Sequence, residues 1–110
     1  MRYLLDKELV MAKYLVTYHG SAAPSDPAML EQVKAAFGRW LQEAGGAVVD
    51  PGAPVRLVKQ VANGTPSAVV DIGGYSIIEA PSLEVAARIQ HTHPFVGRDG
   101  TLQVNEVMVL

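Results

Sequence analysis

Residues 26–46, DPAMLEQVKAAFGRWLQEAGG, carry both ends and the buried face of a long helix. Asp26 can accept hydrogen bonds from the free amides of a first turn, and Pro27 loses no hydrogen bond at that position. The glycines at 45 and 46 supply the left-handed residue that commonly ends a helix. One apolar stripe at helical spacing lies between these ends: Leu30, Val33, Phe37, Trp40, Leu41 and Ala44. The pattern predicts a helix from about Pro27 to Ala44 that packs one side against a core.

Strand-like segments flank this helix. Residues 12–19 are rich in β-branched and aromatic types and predict a strand. After the helix, residues 47–50 form a short predicted strand that Pro51 and Gly52 end. Residues 55–61 alternate apolar and charged types, as a half-buried or edge strand does.

The second half of the chain repeats the alternation of strand and helix. Residues 63–66 have turn chemistry, residues 67–72 can continue a ribbon, and residues 75–80 form a compact predicted strand. Ser82 is a good cap for a second helix, which Pro94 ends by about His91 to His93. Residues 102–109 give the last strand.

The predicted order is that of a ferredoxin-like α+β fold, βαββαβ. Right-handed crossovers place both helices on one face of an antiparallel sheet. The other face needs a cover, which a second subunit's sheet would supply as a dimeric α/β barrel. The 110 residues suffice for one domain, 1–110. Because Met11 precedes the first strand, residues 1–10 are either an upstream extension of the fold or an ordinary first turn or extra edge element.

The composition favours a homodimer and argues against nucleic acid and membranes as partners. The chain is 49% hydrophobic and only 18% charged, below the average of about 25%, so we expect a partner to cover apolar surface. The net charge of −2 without a basic cluster argues against nucleic acid. No apolar run approaches the length of a membrane span. The absence of cysteine fits a cytoplasmic protein.

Several stretches taken in order resemble the YCII-related family, also called the DGPF-domain family. The matching segments are 11–17, FGRWLQEAGG at 37–46, VDPG at 49–52, GYSIIEAPSLE at 74–84, HTHP at 91–94 and LQVNEVM at 102–108. The resemblance implies a ferredoxin-like protomer and a dimer built sheet against sheet. It implies little about activity, although a few members look like small-molecule enzymes, including a dehydrochlorinase.

Those enzyme members carry a histidine near the start of the first helix and an aspartate just before the proline after the second. In this sequence Met29 stands near the first position and His93 stands at the second, before Pro94. Methionine cannot transfer protons, so the resemblance does not carry the dehydrochlorinase reaction over.

The three histidines are the candidate catalytic residues, because imidazole titrates near neutral pH. His91 and His93 lie near the end of the second helix, where the helix dipole favours an imidazolium that could bind an anionic or phenolic substrate. His19 ends the first strand, at a rim where sites are often placed. The alternative for each is an ordinary capping or rim residue.

Tyr18, Tyr75 and Asp71 are the candidate substrate-binding residues. The tyrosines can line an aromatic-friendly pocket and orient a ligand with their hydroxyls. Asp71 and Glu79 lie beside or within apolar strands, where a carboxyl pKa can rise, or else they are exposed edge residues. A His-x-His pair is a weak metal signal, so we expect no metal and no cofactor.

Two classes of function therefore stay open. The first is a cofactor-free enzyme that catalyses proton transfer, elimination or isomerisation of a small molecule such as an aromatic compound, with His93 as its main acid or base. The second is a non-catalytic module that binds a small ligand or another protein on the same dimeric fold. A monooxygenase of the dimeric α/β-barrel kind is a third, less favoured reading.

Overall fold

The computed structural model describes residues 11–20, 26–96 and 99–109. Two helices and four strands alternate along them: β1 (Ala12–His19), α1 (Pro27–Ala44), β2 (Val48–Pro54), β3 (Gly74–Ala80), α2 (Leu83–Gln90) and β4 (Thr101–Glu106). The strands form one antiparallel sheet in the order β2-β3-β1-β4. This is the ferredoxin-like α+β arrangement, as the sequence predicts.

The helix ends follow their capping signals. The Asp26 carboxylate accepts from the Ala28 amide at 3.0 Å, and Ser82 accepts from the Val85 amide at 3.3 Å. Gly45 ends α1 with a positive φ of 57°. Both helices therefore begin where the sequence predicts, and α2 ends at Gln90, with His91 as its capping residue.

Strand register divides the sheet into two faces. On the helix face, Tyr14 and Val16 of β1 pack with Ile78 and Ala80 of β3 and with Ala86 of α2. The opposite face, which we call the open face, takes the alternate residues of three strands, since successive side chains of a strand point to opposite sides. Its members are Lys13, Leu15, Thr17, His19, Tyr75, Ile77, Glu79, Thr101, Gln103 and Asn105.

Two strands differ in length from the sequence prediction. Strand β2 continues through Pro51 and Gly52 to Pro54, because two irregularities in its pairing with β3 absorb these residues. Gly52 has a φ of 74°, and a Cβ there would overlap the Tyr75 carbonyl, so only glycine fits this close approach. The last strand ends at Glu106 rather than residue 109, since Glu106 pairs with Tyr14, near the beginning of β1.

The strand predicted over residues 55–61 and the ribbon predicted over 67–72 are wrong. Residues 55–73, which we call the arm, form no strand. Two hydrogen bonds join its legs, from the Val55 backbone amide to the Gly73 carbonyl (3.1 Å) and from the Gln60 side-chain amide to the Ser67 carbonyl (3.1 Å). Gly64 supplies the turn with a φ of 103°. A lone two-stranded ribbon is only marginally stable in water. Because the arm packs against little of this chain, its two legs do not pair as strands.

None of the described helices is long and apolar enough to cross a membrane. Residues 1–10, for which the sequence suggests an extension or a first turn, lie outside the described residues.

Candidate functional site

His93 lies in a box of aromatic rings between the helices and the sheet. Its side chain belongs to the turn after α2 and is only 3% exposed. The centre of its ring lies 4.5 Å from that of Trp40, 4.9 Å from that of Tyr18 and 5.6 Å from that of Phe37. All three rings meet it edge to face, which is the favoured geometry of aromatic pairs. His93 is therefore held as part of the core.

Both ring nitrogens of His93 have protein partners. The Phe95 amide donates to Nδ1 at 3.0 Å, so Nδ1 carries no proton and the proton sits on Nε2. Nε2 then donates to the Tyr18 hydroxyl oxygen at 3.1 Å. These two bonds fix the tautomer and the orientation of the ring.

Burial lowers the pKa of His93 from its usual 6.5 to about 4. The helix-end argument from the sequence expects an imidazolium, and for His93 that expectation is wrong. The loss of solvent around a charged ring outweighs the helix dipole, whose effect is confined to the last turn. His93 is neutral at pH 7 and cannot donate the proton of an imidazolium to a substrate.

Tyr18 is the more accessible member of this pair. It is half-buried, and its ring also packs against that of Phe95 at 5.3 Å. Burial raises the pKa of Tyr18, so its hydroxyl stays protonated. Since His93 donates to the hydroxyl oxygen, the Tyr18 proton points elsewhere, and the buried Ser76 hydroxyl is a neighbour of this group. Chemically, the pair provides one oriented hydrogen-bond donor.

His19 lies on the other side of the sheet. It follows Tyr18 in β1 and shares the open face with Thr17, whose hydroxyl is 2.8 Å from Nε2. Nδ1 of His19 donates to the Asp71 carbonyl at 3.0 Å. Tyr75 pairs with Thr17 and faces the same side. The structure therefore brings His19, Tyr75 and the backbone carbonyl of Asp71 to one face and Tyr18 and His93 to the other, while Asp71 itself is exposed.

His91 is exposed at the end of α2. Because the sheet separates His19 from His93, the three histidines do not converge. Among the residues that the structure describes, no group of three histidine, aspartate or glutamate side chains could hold a metal ion.

A shallow cleft of about 290 Å³ opens between the end of α2 and the edge strand β4. It is lined by Ala87, Gln90, His91, Val96, Gly100, Thr101, Leu102 and Val104. Gln90 is 4% exposed, and neither its amide nitrogen nor its amide oxygen has a hydrogen-bond partner in the described structure. Each such buried group costs about 1–3 kcal/mol, so Gln90 is the most unfavourable polar residue of this region.

Sequence reasoning did not single out Gln90 or Ser76. Ser76 is fully buried on the helix face of β3, and its hydroxyl also lacks a partner among the described residues. A signal was present for Gln90, because it lies four residues after Ala86 and so falls on the buried side of α2. A polar residue in an apolar stripe indicates a buried polar group that needs a hydrogen-bond partner. Ser76 carries no comparable signal, since serine is common on strands of either exposure.

The chain matches no protein-family model, and no curated protein is similar enough to count as a relative. What the protein does is therefore inferred from its own side chains and surfaces.

Proposed function

We propose that the protein is a homodimeric, non-catalytic binding module of the YCII-related kind. The observation that carries this proposal is the separation of its titratable groups from one another. His93 is buried, neutral and bonded at both ring nitrogens, while His19 occupies the opposite face. A proton-transfer site needs an acid or base that reaches the substrate, and His93 does not reach one.

The open face supports the dimer. The described helices pack on the other face, and Leu15, Tyr75 and Ile77 of the open face are half-buried in the single chain. A sheet is stabilised when a second layer covers the apolar residues of its other face. A second copy supplies an identical face, and a two-fold axis brings the same patch of both copies together.

The exposed apolar residues of the arm also favour a second copy of this chain as the partner. The arm carries six exposed apolar side chains, of which Val58 is 82% and Val61 is 90% exposed. The arm also continues directly from the open face, because Asp71 near its end accepts from His19. Large contiguous apolar surface of this kind marks an interface. We propose that each arm lies across the open face of the other copy.

Charged substitutions in the arm test the dimer. We expect the double variant Val58→Asp/Val61→Asp to raise the dimer dissociation constant at least about 100-fold, since each copy would bury two unpaired charges. Light scattering after size-exclusion chromatography measures the mass. Both valines are exposed in the single chain, so the fold of the monomer should persist, which circular dichroism checks.

Leu83→Asp is the matched control. Leu83 is 57% exposed but begins α2 on the helix side, so this variant should associate as the wild type does. A double variant that associates as tightly as the wild type would contradict the proposed interface.

A cofactor-free enzyme is the second candidate, and the Tyr18–His93 hydrogen bond is the observation that favours it. Tyr18 would act as an oriented donor to a developing oxyanion, as donors in oxyanion holes do. A panel of phenols and lactones tests this with wild type, Tyr18→Phe and His93→Gln. We expect no turnover above background. Turnover that falls at least tenfold in both variants would establish the enzyme and overturn the non-catalytic proposal.

A further inference from the structure

We propose that the cleft between α2 and β4 binds a small neutral molecule that carries a planar carboxamide or lactam group on an apolar body. This deepens the proposed function, because it rests on the protein being a binding module. It does not depend on the dimer, since the cleft lies on the helix side of the sheet, away from the open face.

The position of Gln90 is the first step. It lies on the buried side of α2, where leucine or methionine would fill similar space without polar atoms. Gln90 lines the cleft and is 4% exposed, and both of its amide atoms are shielded from solvent and lack a partner in the described structure. Buried polar groups in native proteins are nearly always bonded, and exceptions point to a bound water, an ion or a function. The amide therefore lacks a partner, and a ligand in the cleft can supply one once the Gln90 side chain rotates towards it.

The chemistry of the missing partner follows from the amide itself. A glutamine side chain presents a donor and an acceptor side by side in one plane. A second planar amide meets both at once, donating to Oε1 and accepting from Nε2. A lone cation would bind Oε1 but repel the Nε2 donor, and a lone anion would bind Nε2 but repel Oε1. The group that fits is a carboxamide, a lactam or a cyclic imide.

The rest of the cleft fits an apolar body. Leu102 and Val104 from β4 and Ala87 from α2 form its walls, and the volume of about 290 Å³ suits a small molecule with a single ring. His91 and Thr101 are the other polar residues of the described lining. His91 is exposed at the end of α2, where it can contact a polar substituent of the ligand.

Benzamide and cumene are a matched pair of probes, because both have an apolar ring and only benzamide has the amide. The full-length protein is titrated with each, and the side-chain amide signals of Gln90 and the backbone signals of Thr101 and Leu102 are followed by NMR. We expect benzamide to shift the Gln90 side-chain signals in a saturable way. We expect Gln90→Leu to bind benzamide about ten- to a hundredfold more weakly while it binds cumene no less well than the wild type.

Gln103→Leu is the control variant, since Gln103 is an exposed glutamine on the open side of β4, and it should bind benzamide normally. Gln90→Met serves as a second variant of similar volume if Gln90→Leu does not fold. Equal affinity of wild type and Gln90→Leu for benzamide, or no saturable shift at all, would overturn the inference. If the protein still sediments as a dimer in that case, the dimer proposal stands and only the ligand falls.

Discussion

Trp40→Ala is expected to lower the free energy of unfolding by about 3–5 kcal/mol, which is the usual loss when a buried tryptophan is removed. Trp40 is 1% exposed, the largest fully buried side chain of the described structure. Its ring packs on His93 and on Phe37, and its indole nitrogen donates to the Ile89 carbonyl at 2.9 Å. Trp40 therefore ties α1 to the last turn of α2.

Urea unfolding followed by circular dichroism at fixed protein concentration measures this loss. Trp40→Phe separates packing from hydrogen bonding, because it keeps an aromatic ring and removes the indole donor. We expect it to lose about 1–3 kcal/mol, as the Ile89 carbonyl loses its partner. A loss below about 1 kcal/mol in Trp40→Ala would show that the helices are not joined at this residue.

Acid should destabilise the protein through His93, by up to about 3 kcal/mol. The folded-state pKa of His93 is lowered to about 4, while the unfolded chain titrates near its ordinary 6.5. Between these values the unfolded chain binds more protons than the folded one. The contribution is therefore fully present above about pH 6.5 and is lost progressively as the pH falls towards 4.

Unfolding free energies measured from pH 7.5 to 4 for wild type and His93→Gln isolate this effect, because carboxyl groups contribute equally to both. We expect the wild type to lose more stability than His93→Gln over this range. His91→Gln is the control, since His91 is exposed two residues away and should leave the wild-type slope unchanged. Identical slopes for wild type and His93→Gln would contradict a buried neutral imidazole.

The helices and the order of elements could be predicted because their signals are local. Asp26, Ser82 and Gly45 act on the backbone amides and angles of their own turns, so their effect does not depend on the rest of the fold. Strands β1 and β3 could be predicted from their β-branched and aromatic residues, which pack into a core on the helix face.

The irregular structure of the arm could not be predicted, because its sequence alternates as a strand does. The chain does not provide a layer for this segment to pack against. Residues 55–61 carry the periodicity of a strand, but whether a ladder forms depends on surfaces outside the segment. The sequence indicates that Val55, Val58 and Val61 pack against another surface, but it does not indicate whether that surface belongs to this chain or to a partner.

The protonation state of His93 could not be predicted from the sequence either. The helix-end argument considers only its own turn, whereas the ring is enclosed by Trp40, Tyr18 and Phe37, which come from distant parts of the chain. Its neutrality follows from this tertiary burial. The proximity of Tyr18 and His93, 75 residues apart, likewise depends on how the second helix crosses the sheet.

Sedimentation velocity of the wild-type protein over micromolar concentrations tests the pairing of open faces most directly. We predict a stable species at twice the 11.8 kDa of one chain, with no dissociation across the range. A single species at the mass of one chain, with no tendency to associate, would contradict it.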